Sequence, residues 1–273
     1  MGSWLQTAPG RYLHQWEQQR LDDAVADAFG FHALQLGLPE VDALRANRMP
    51  HRWVLASGGL TAVDADDRTV PPGAARVALL SEFDALPFAA DSIDLVVLPH
   101  VLEFAADPHQ TLREVERVLR PQGRIVIVGL NPTSLWGLRQ RLSPQRLGLV
   151  PPTGEGEGEG EGPRAAEFIG YWRLRDWLRL LQFELESVSF GCWRPAVRSS
   201  RRLARFAWMD RLGARWWPIF GAGYVMLAVK RTHGARLIGA SWKAAPMTAA
   251  APASVANRAA APHTLTESEL EPR

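Results

Sequence analysis

The stretch from Leu86 to Asn131, LPFAADSIDLVVLPHVLEFAADPHQTLREVERVLRPQGRIVIVGLN, constrains the fold more than any other part of the chain. Ile93 to Leu98 is a nearly unbroken apolar run after the surface pair Asp91-Ser92, the pattern of a strand buried on both faces of a parallel sheet. A helix is expected next. Asp107 suits its N-cap, Pro108 its first position, and Gln110 stands where a capping-box partner would sit. Leu112, Val115, Val118 and Leu119 fall on one face, with Arg113, Glu114, Glu116 and Arg117 on the rest. Pro121-Gln122-Gly123 reads as the stop, and Ile125 to Val128 as a second buried strand. The whole is one βαβ unit. Such units cross over right-handed, and ligands of open α/β sheets bind beyond the carboxyl ends of the strands. Pro99, His100 and Glu103 therefore share an edge with Gly129 and Asn131, and a site is expected there.

The 273 residues suffice for one large α/β domain with appendages. Cys192 is the single cysteine, which excludes an intramolecular disulfide and fits a reducing, cytoplasmic setting. The N-terminus has no charged region leading into an apolar core, so no signal peptide is expected. Pro218 to Val229 is too short an apolar run to span a bilayer as a helix. Scattered histidines and one cysteine give no metal-ligand spacing. Charge is unevenly placed. From Arg194 to Arg231 nine basic residues stand against one acid, a net +8, which leaves −6 for the rest of a chain whose formal charge is +2.

Leu13, Trp16, Leu21, Val25 and Ala28 recur at helical spacing, predicting an N-terminal amphipathic helix from Pro9 to Ala28 that Gly30 ends. Ala33 to Leu38 reads as the first strand, Val41 to Asn47 as weakly helical, and Trp53 to Ala56 as a second strand. Thr61 to Ala75 is a loop rich in Asp, Pro and Gly, and Arg76 to Leu80 a third strand leading into Ser81-Glu82-Phe83-Asp84. Past Asn131-Pro132-Thr133, read as turn chemistry, a short helix is expected around Leu135 to Leu142. The Gly/Glu repeat from Gly154 to Gly162 has no apolar surface to bury and reads as a flexible linker. Leu174, Trp177, Leu178 and Leu181 mark a further helix, followed by strands at Phe183 to Phe190 and Gly223 to Val229. Alternating strands and helices closed by a late strand pair predict an α/β, Rossmann-like, doubly wound and mostly parallel sheet.

The runs Asp84-Ala85-Leu86-Pro87-Phe88, Ser92-Ile93-Asp94-Leu95-Val96-Val97, Leu102-Glu103, Leu112-Arg113-Glu114 and Val118-Leu119-Arg120-Pro121-Gln122-Gly123 resemble class I S-adenosylmethionine-dependent methyltransferases. The similarity is narrower still to the type 11 methyltransferase-domain branch, and to a little-characterised bacterial group within it. The resemblance implies a methyltransferase-like Rossmann core over residues 31–142, after an N-terminal helical segment 1–30. A linker insertion 143–166 follows. Residues 167–232 complete the core with a basic, Trp-rich insertion at 192–220, and 233–273 form a disordered tail rich in Ala and Pro.

S-adenosyl-L-methionine is the cofactor the resemblance implies. Asp84 matches the acid that hydrogen-bonds the adenine, with Ala85 and Leu86 flanking the base, while Leu98, Pro99 and His100 would face the methionine part and the acceptor. In the first motif only Gly37 is kept. Gln35 stands in place of the acid, Pro39 and Val41 in place of two glycines, and Ser57 in place of the acid that holds the ribose hydroxyls. Loss of such a carboxylate costs on the order of 1.5 to 3 kcal/mol of cofactor affinity.

His100 is the candidate catalytic residue, as general base or as orienter of a substrate oxygen, against the plainer reading of a loop histidine that packs. The expected activity is methyl transfer to a small or lipid-like acceptor. The alternative is a degenerate methyltransferase fold serving as a non-catalytic binding or scaffold module, with a membrane or nucleic-acid surface. Arg198, Arg201, Arg202 and Arg205 are spaced by three and four, so one helix would gather them on one face. That segment reads as a substrate lid, an anionic-lipid surface or a nucleic-acid patch, the last least favoured. The plainer account is a solvated arginine face with Trp208, Trp216 and Trp217 in the core.

Overall fold

A computed structural model describes residues 2–57, 75–142 and 167–231. The expected linker 143–166, the tail 233–273 and nearly all of the loop Thr61 to Ala75 lie outside the described residues. Helices α1 (Gly2–Leu5) and α2 (Ala8–Ala26) precede strands β1 (His32–Leu36), β2 (His51–Ala56), β3 (Leu79–Leu80) and β4 (Ile93–Pro99). Then come α3 (Val101–Phe104), α4 (Pro108–Val118), β5 (Leu119–Leu130) and α5 (Leu135–Leu142). The chain continues through α6 (Tyr171–Leu180), β6 (Phe183–Gly191), α7 (Ser200–Arg205), α8 (Trp208–Trp216), a 3-10 turn (Pro218–Phe220) and β7 (Gly223–Lys230).

Among the described residues the sheet has seven strands in the order β3-β2-β1-β4-β5-β7-β6, with β7 antiparallel to both of its neighbours. Two antiparallel steps leave β6 parallel to β4 and β5, so its carboxyl end opens at the same edge as theirs. Side chains alternate across the central strands. Leu95 and Val97 of β4 and Val126 and Val128 of β5 pack on the face covered by α2. Val96, Leu98, Ile125 and Ile127 pack on the opposite face with α4 and α6. Burial on both faces explains the continuous apolar runs.

Local chemistry sets the element ends. Asp107 caps α4 by accepting from His109 N and Gln110 N at 2.9 and 3.0 Å. Leu112, Val115 and Val118 are fully buried, each contributing roughly 1.5 to 3 kcal/mol. Gln110 does not close a capping box; its amide donates to Asp84 O at 3.4 Å instead. The helix also stops before Pro121, because Leu119 is already extended and starts β5. Lys230, at the end of β7, substitutes for the missing next turn, its Nζ donating to Glu116 O at 2.7 Å and Leu119 O at 2.9 Å.

Four further expectations change. Val41 to Asn47 forms turns rather than a helix, because side-chain amides take up its backbone groups: Gln35 bonds Val41 O and Ala43 N. Asn47 in turn bonds Val25 O and Ala28 O. The third strand is two residues long, although Ala78 N and Ser81 N extend its ladder onto Val54 O and Ala56 O. The four arginines do not share one helix, since α7 begins at Ser200, after Arg198. Nor are the tryptophans in the core: Trp208, Trp216 and Trp217 are 55%, 67% and 53% exposed. Among the described residues no helix is long and apolar enough to cross a membrane.

Candidate functional site

The strand order reverses between β1 and β4, and a cleft of about 320 Å³ opens beyond their carboxyl ends. Gly37 follows β1 with φ +67°, the left-handed region that glycine adopts without strain. A Cβ there would stand 3.0 Å from Val101 Cγ2, on the cleft wall.

Gln35 fixes this turn from beneath. Wholly buried, it donates from Nε2 to Gly37 O (3.2 Å), Leu38 O (3.1 Å) and Val41 O (2.7 Å), and accepts from Ala43 N (3.0 Å). Three carbonyls around one nitrogen require a donor. A carboxylate at this position would face three acceptors, so an amide rather than an acid suits the turn as built.

His100 follows β4 in a left-handed conformation (φ 55°) and is 1% exposed. Its Nε2 lies 2.8 Å from Glu17 Oε1 on α2, and its Nδ1 lies 2.9 Å from Glu103 Oε2 on α3. Glu103 also accepts from Leu130 N at the end of β5. Burial disfavours the charged ring, but the two carboxylates outweigh it and raise the His100 pKa to about 10. At neutral pH the ring is therefore an imidazolium donating from both nitrogens. It holds no lone pair with which to take a substrate proton.

Gly37, Ser57, Asp84, Pro99 and His100 all line this cleft. The other four candidates do not. Gln35 lies under the turn, and Leu98 packs in the core. Leu86 is buried with its N–H donated to Glu114 Oε2 at 3.0 Å, and the exposed Ala85 falls outside the lining. Sequence reasoning missed the roles of Glu82, Phe83, Phe104 and Thr111 as lining residues, and it read Asp107 only as a cap. Glu82 and Phe83 had a usable signal in their place at the carboxyl end of β3. Phe104 and Thr111 had none, because only the packing of α3 against α4 brings them to the cleft.

Residues 51–127, from β2 into β5, match the family model described as a methyltransferase domain. The chain is 30% identical over 182 residues to the uncharacterized protein YafS of Escherichia coli; the alignment covers 66% of this chain and 64% of YafS. It is 37% identical over 57 residues to malonyl-[acyl-carrier protein] O-methyltransferase 1 of Coxiella burnetii, covering 21% of this chain and 20% of that enzyme. In both alignments the chain spans less than two thirds of the relative's length. Among solved structures, a SAM-dependent methyltransferase from Archaeoglobus fulgidus superposes with TM-score 0.51 at 16% identity, covering 80% of this chain and 94% of that one. A Thermotoga maritima SAM-dependent methyltransferase gives TM-score 0.53 at 15% identity, covering 81% and 92%. The chain is thus built on the fold of class I S-adenosylmethionine-dependent methyltransferases, and its residues 51–127 match the methyltransferase-domain model.

The residues present fit that fold's cofactor. Its volume places the cleft in the roughly 300 to 1,000 Å³ range of small-molecule sites. Its lining includes the acidic Glu82, Asp84 and Asp107 and the hydroxyl-bearing Ser57 and Thr111. A ligand bearing a sulfonium, an ammonium and ribose hydroxyls meets opposite charge and acceptors there. Gly37 leaves its backbone open to close approach on the same wall.

Proposed function

We propose that the chain binds S-adenosylmethionine in the cleft between Gly37, Asp84 and Pro99 and transfers its methyl group to a small or lipid-like acceptor. The observation that carries this is the meeting of a left-handed glycine turn after β1 and the acidic Glu82–Asp84 segment after β3 in one cleft at the sheet's switch point. When bound, the cofactor supplies an electrophilic methyl on a sulfonium. Asp84 would hold the adenine amine, Ser57 the ribose hydroxyls, and Gly37 would admit the methionine part close to the backbone. Pro99, Val101 and Phe104 form an apolar wall that limits water.

The protein's remaining task is alignment of donor and acceptor. His100 serves it as a positioning residue: its two ion pairs hold α2, α3 and the end of β5 against the carboxyl end of β4. Titration calorimetry with S-adenosylmethionine and S-adenosylhomocysteine tests the proposal. Saturable heat with a rise in melting temperature is expected, and neither at millimolar ligand overturns it.

A second reading is favoured by Gln35, whose amide is wholly engaged by the protein's own backbone where the family has an acid. In that reading the fold is a non-catalytic binding or scaffold module. Cofactor binding without S-adenosylhomocysteine formation, in the presence of small-molecule and lipid extracts, would favour it.

A further inference from the structure

Helix α8 is attached to the body through Asp210 and Gly213. Arg194 Nε donates to Asp210 Oδ2 at 2.8 Å, Tyr12 OH donates to the other oxygen of Asp210, and the Arg194 guanidinium lies over the Tyr12 ring at 4.6 Å. Gly213 is buried so tightly on Trp193 that a Cβ would come within 2.2 Å of the indole. The apolar residues point the other way. Trp208, Leu212 and Trp216 recur every fourth position along one face and are all exposed. An ordinary surface helix turns its apolar stripe to the core, whereas α8 exposes these three large apolar side chains.

This face does not stand alone. On α5, Leu135, Leu138 and Leu142 are exposed at i, i+3 and i+7. A groove of about 600 Å³ runs between the two helices, lined by Leu138, Trp208, Trp217 and Phe220. More than half of the large apolar side chains exposed among the described residues belong to α5, α8 and the segment Trp217 to Phe220, a concentration that marks an interaction surface. Arg211 and Arg215 are exposed on α8 beside the apolar face, and Arg201, Arg202 and Arg205 are exposed on the preceding α7.

We propose that the outer face of α8, with α5 and the 3-10 turn, docks on an anionic lipid bilayer. Tryptophan with leucine on one face and arginine on its flank is the composition that partitions into a membrane interface, the apolar side entering below the headgroups and the cations meeting the lipid charge. The groove gives an acyl chain an apolar space continuous with that surface. Charge decides against a second copy of this chain, which would bring like arginines together; a nucleic-acid backbone suits the arginines but leaves Leu138, Leu142 and Leu212 in water. Asn131 to Thr133 lie at the carboxyl end of β5, the edge that also bears the cofactor cleft, so the docked face lies toward the same sheet edge as the cleft. Docking needs no cofactor and is independent of the methyltransferase proposal.

The test is flotation of the full chain with vesicles of phosphatidylcholine alone or of phosphatidylcholine and phosphatidylglycerol in equal parts. Wild type is expected to float with the anionic vesicles only. The pair Leu212→Ser/Trp216→Ser, and separately Arg211→Glu/Arg215→Glu, should each lose on the order of tenfold in partitioning at unchanged melting temperature. Should the α8 pair unfold, Leu138→Ser/Leu142→Ser on α5 replaces it with the same expectation. Absence of flotation, equal flotation on both vesicle types, or flotation that none of the folded variants lowers overturns the proposal. So does a dimer in light scattering that the apolar pair dissociates, or retention on nucleic acid that the apolar pair abolishes.

Discussion

His100 Nε2 lies 2.8 Å from Glu17 Oε1, tying the loop after β4 to a helix 83 residues earlier in the chain. One buried cation between two buried carboxylates, Glu17 and Glu103, makes the cleft's floor an electrostatic unit rather than a free base.

The folded pKa of His100, about 10, lies above the unfolded value near 6.5, so the stabilisation is complete below pH ~6.5 and is lost as pH rises toward 10. Wild-type unfolding free energy should therefore fall by a few kcal/mol, to order of magnitude, between pH ~6.5 and ~10. Burial also raises the Cys192 thiol and the Tyr12 phenol, which steepen the same fall only near and above their unfolded pKa values. His100→Gln should be less stable at neutral pH and nearly flat from pH ~6.5 to ~8. Urea denaturation across that range checks it; parallel slopes for the two proteins would contradict it.

Gln35→Glu restores the acid that the resemblance expects, yet it should destabilise the protein by about 2 to 4 kcal/mol at neutral pH. The new carboxylate would face the carbonyls of Gly37, Leu38 and Val41. Its pKa is raised by burial, so the loss should shrink at acid pH, where the protonated group donates again. Denaturation at two pH values reads the effect directly.

Gly37→Ala puts a Cβ 3.0 Å from Val101 Cγ2 and places alanine at φ +67°. A stability cost of about 1 kcal/mol is expected, with cofactor affinity down on the order of tenfold. Calorimetry and thermal melting separate the two effects.

Lys230→Met keeps the apolar stem but removes the ammonium that bonds Glu116 O and Leu119 O and pairs with Asp91 at 3.0 Å. The end of α4 loses its cap, at a cost of about 1 to 3 kcal/mol. Hydrogen exchange should rise first at Val118 and Leu119.

The central fold was legible because burial on both faces writes itself into β4 and β5 as unbroken apolar runs, and because Asp107-Pro108 is a local signal for a helix start. Half of the cleft was legible on the same grounds, since Asp84 follows β3 and Pro99 ends β4, strands that the pattern places at one edge. The role of Gln35 was not. Its partners at positions 37 to 43 are backbone groups, which carry no sequence signature, and read against a family acid it looked like a lost contact. The charge state of His100 was equally hidden, because Glu17 reaches it only through the packing of α2. The exposed tryptophans ran against the hydrophobic-inside rule, whose exceptions are the informative cases.

The cleft's identity as a cofactor site is tested most directly by titrating S-adenosylhomocysteine into the wild type and into Asp84→Ala, an exposed position whose replacement should leave the fold intact. Saturable binding to the wild type, weakened on the order of tenfold or more in Asp84→Ala, is the predicted result. No binding to the wild type at millimolar ligand, or equal binding to both proteins, would contradict it.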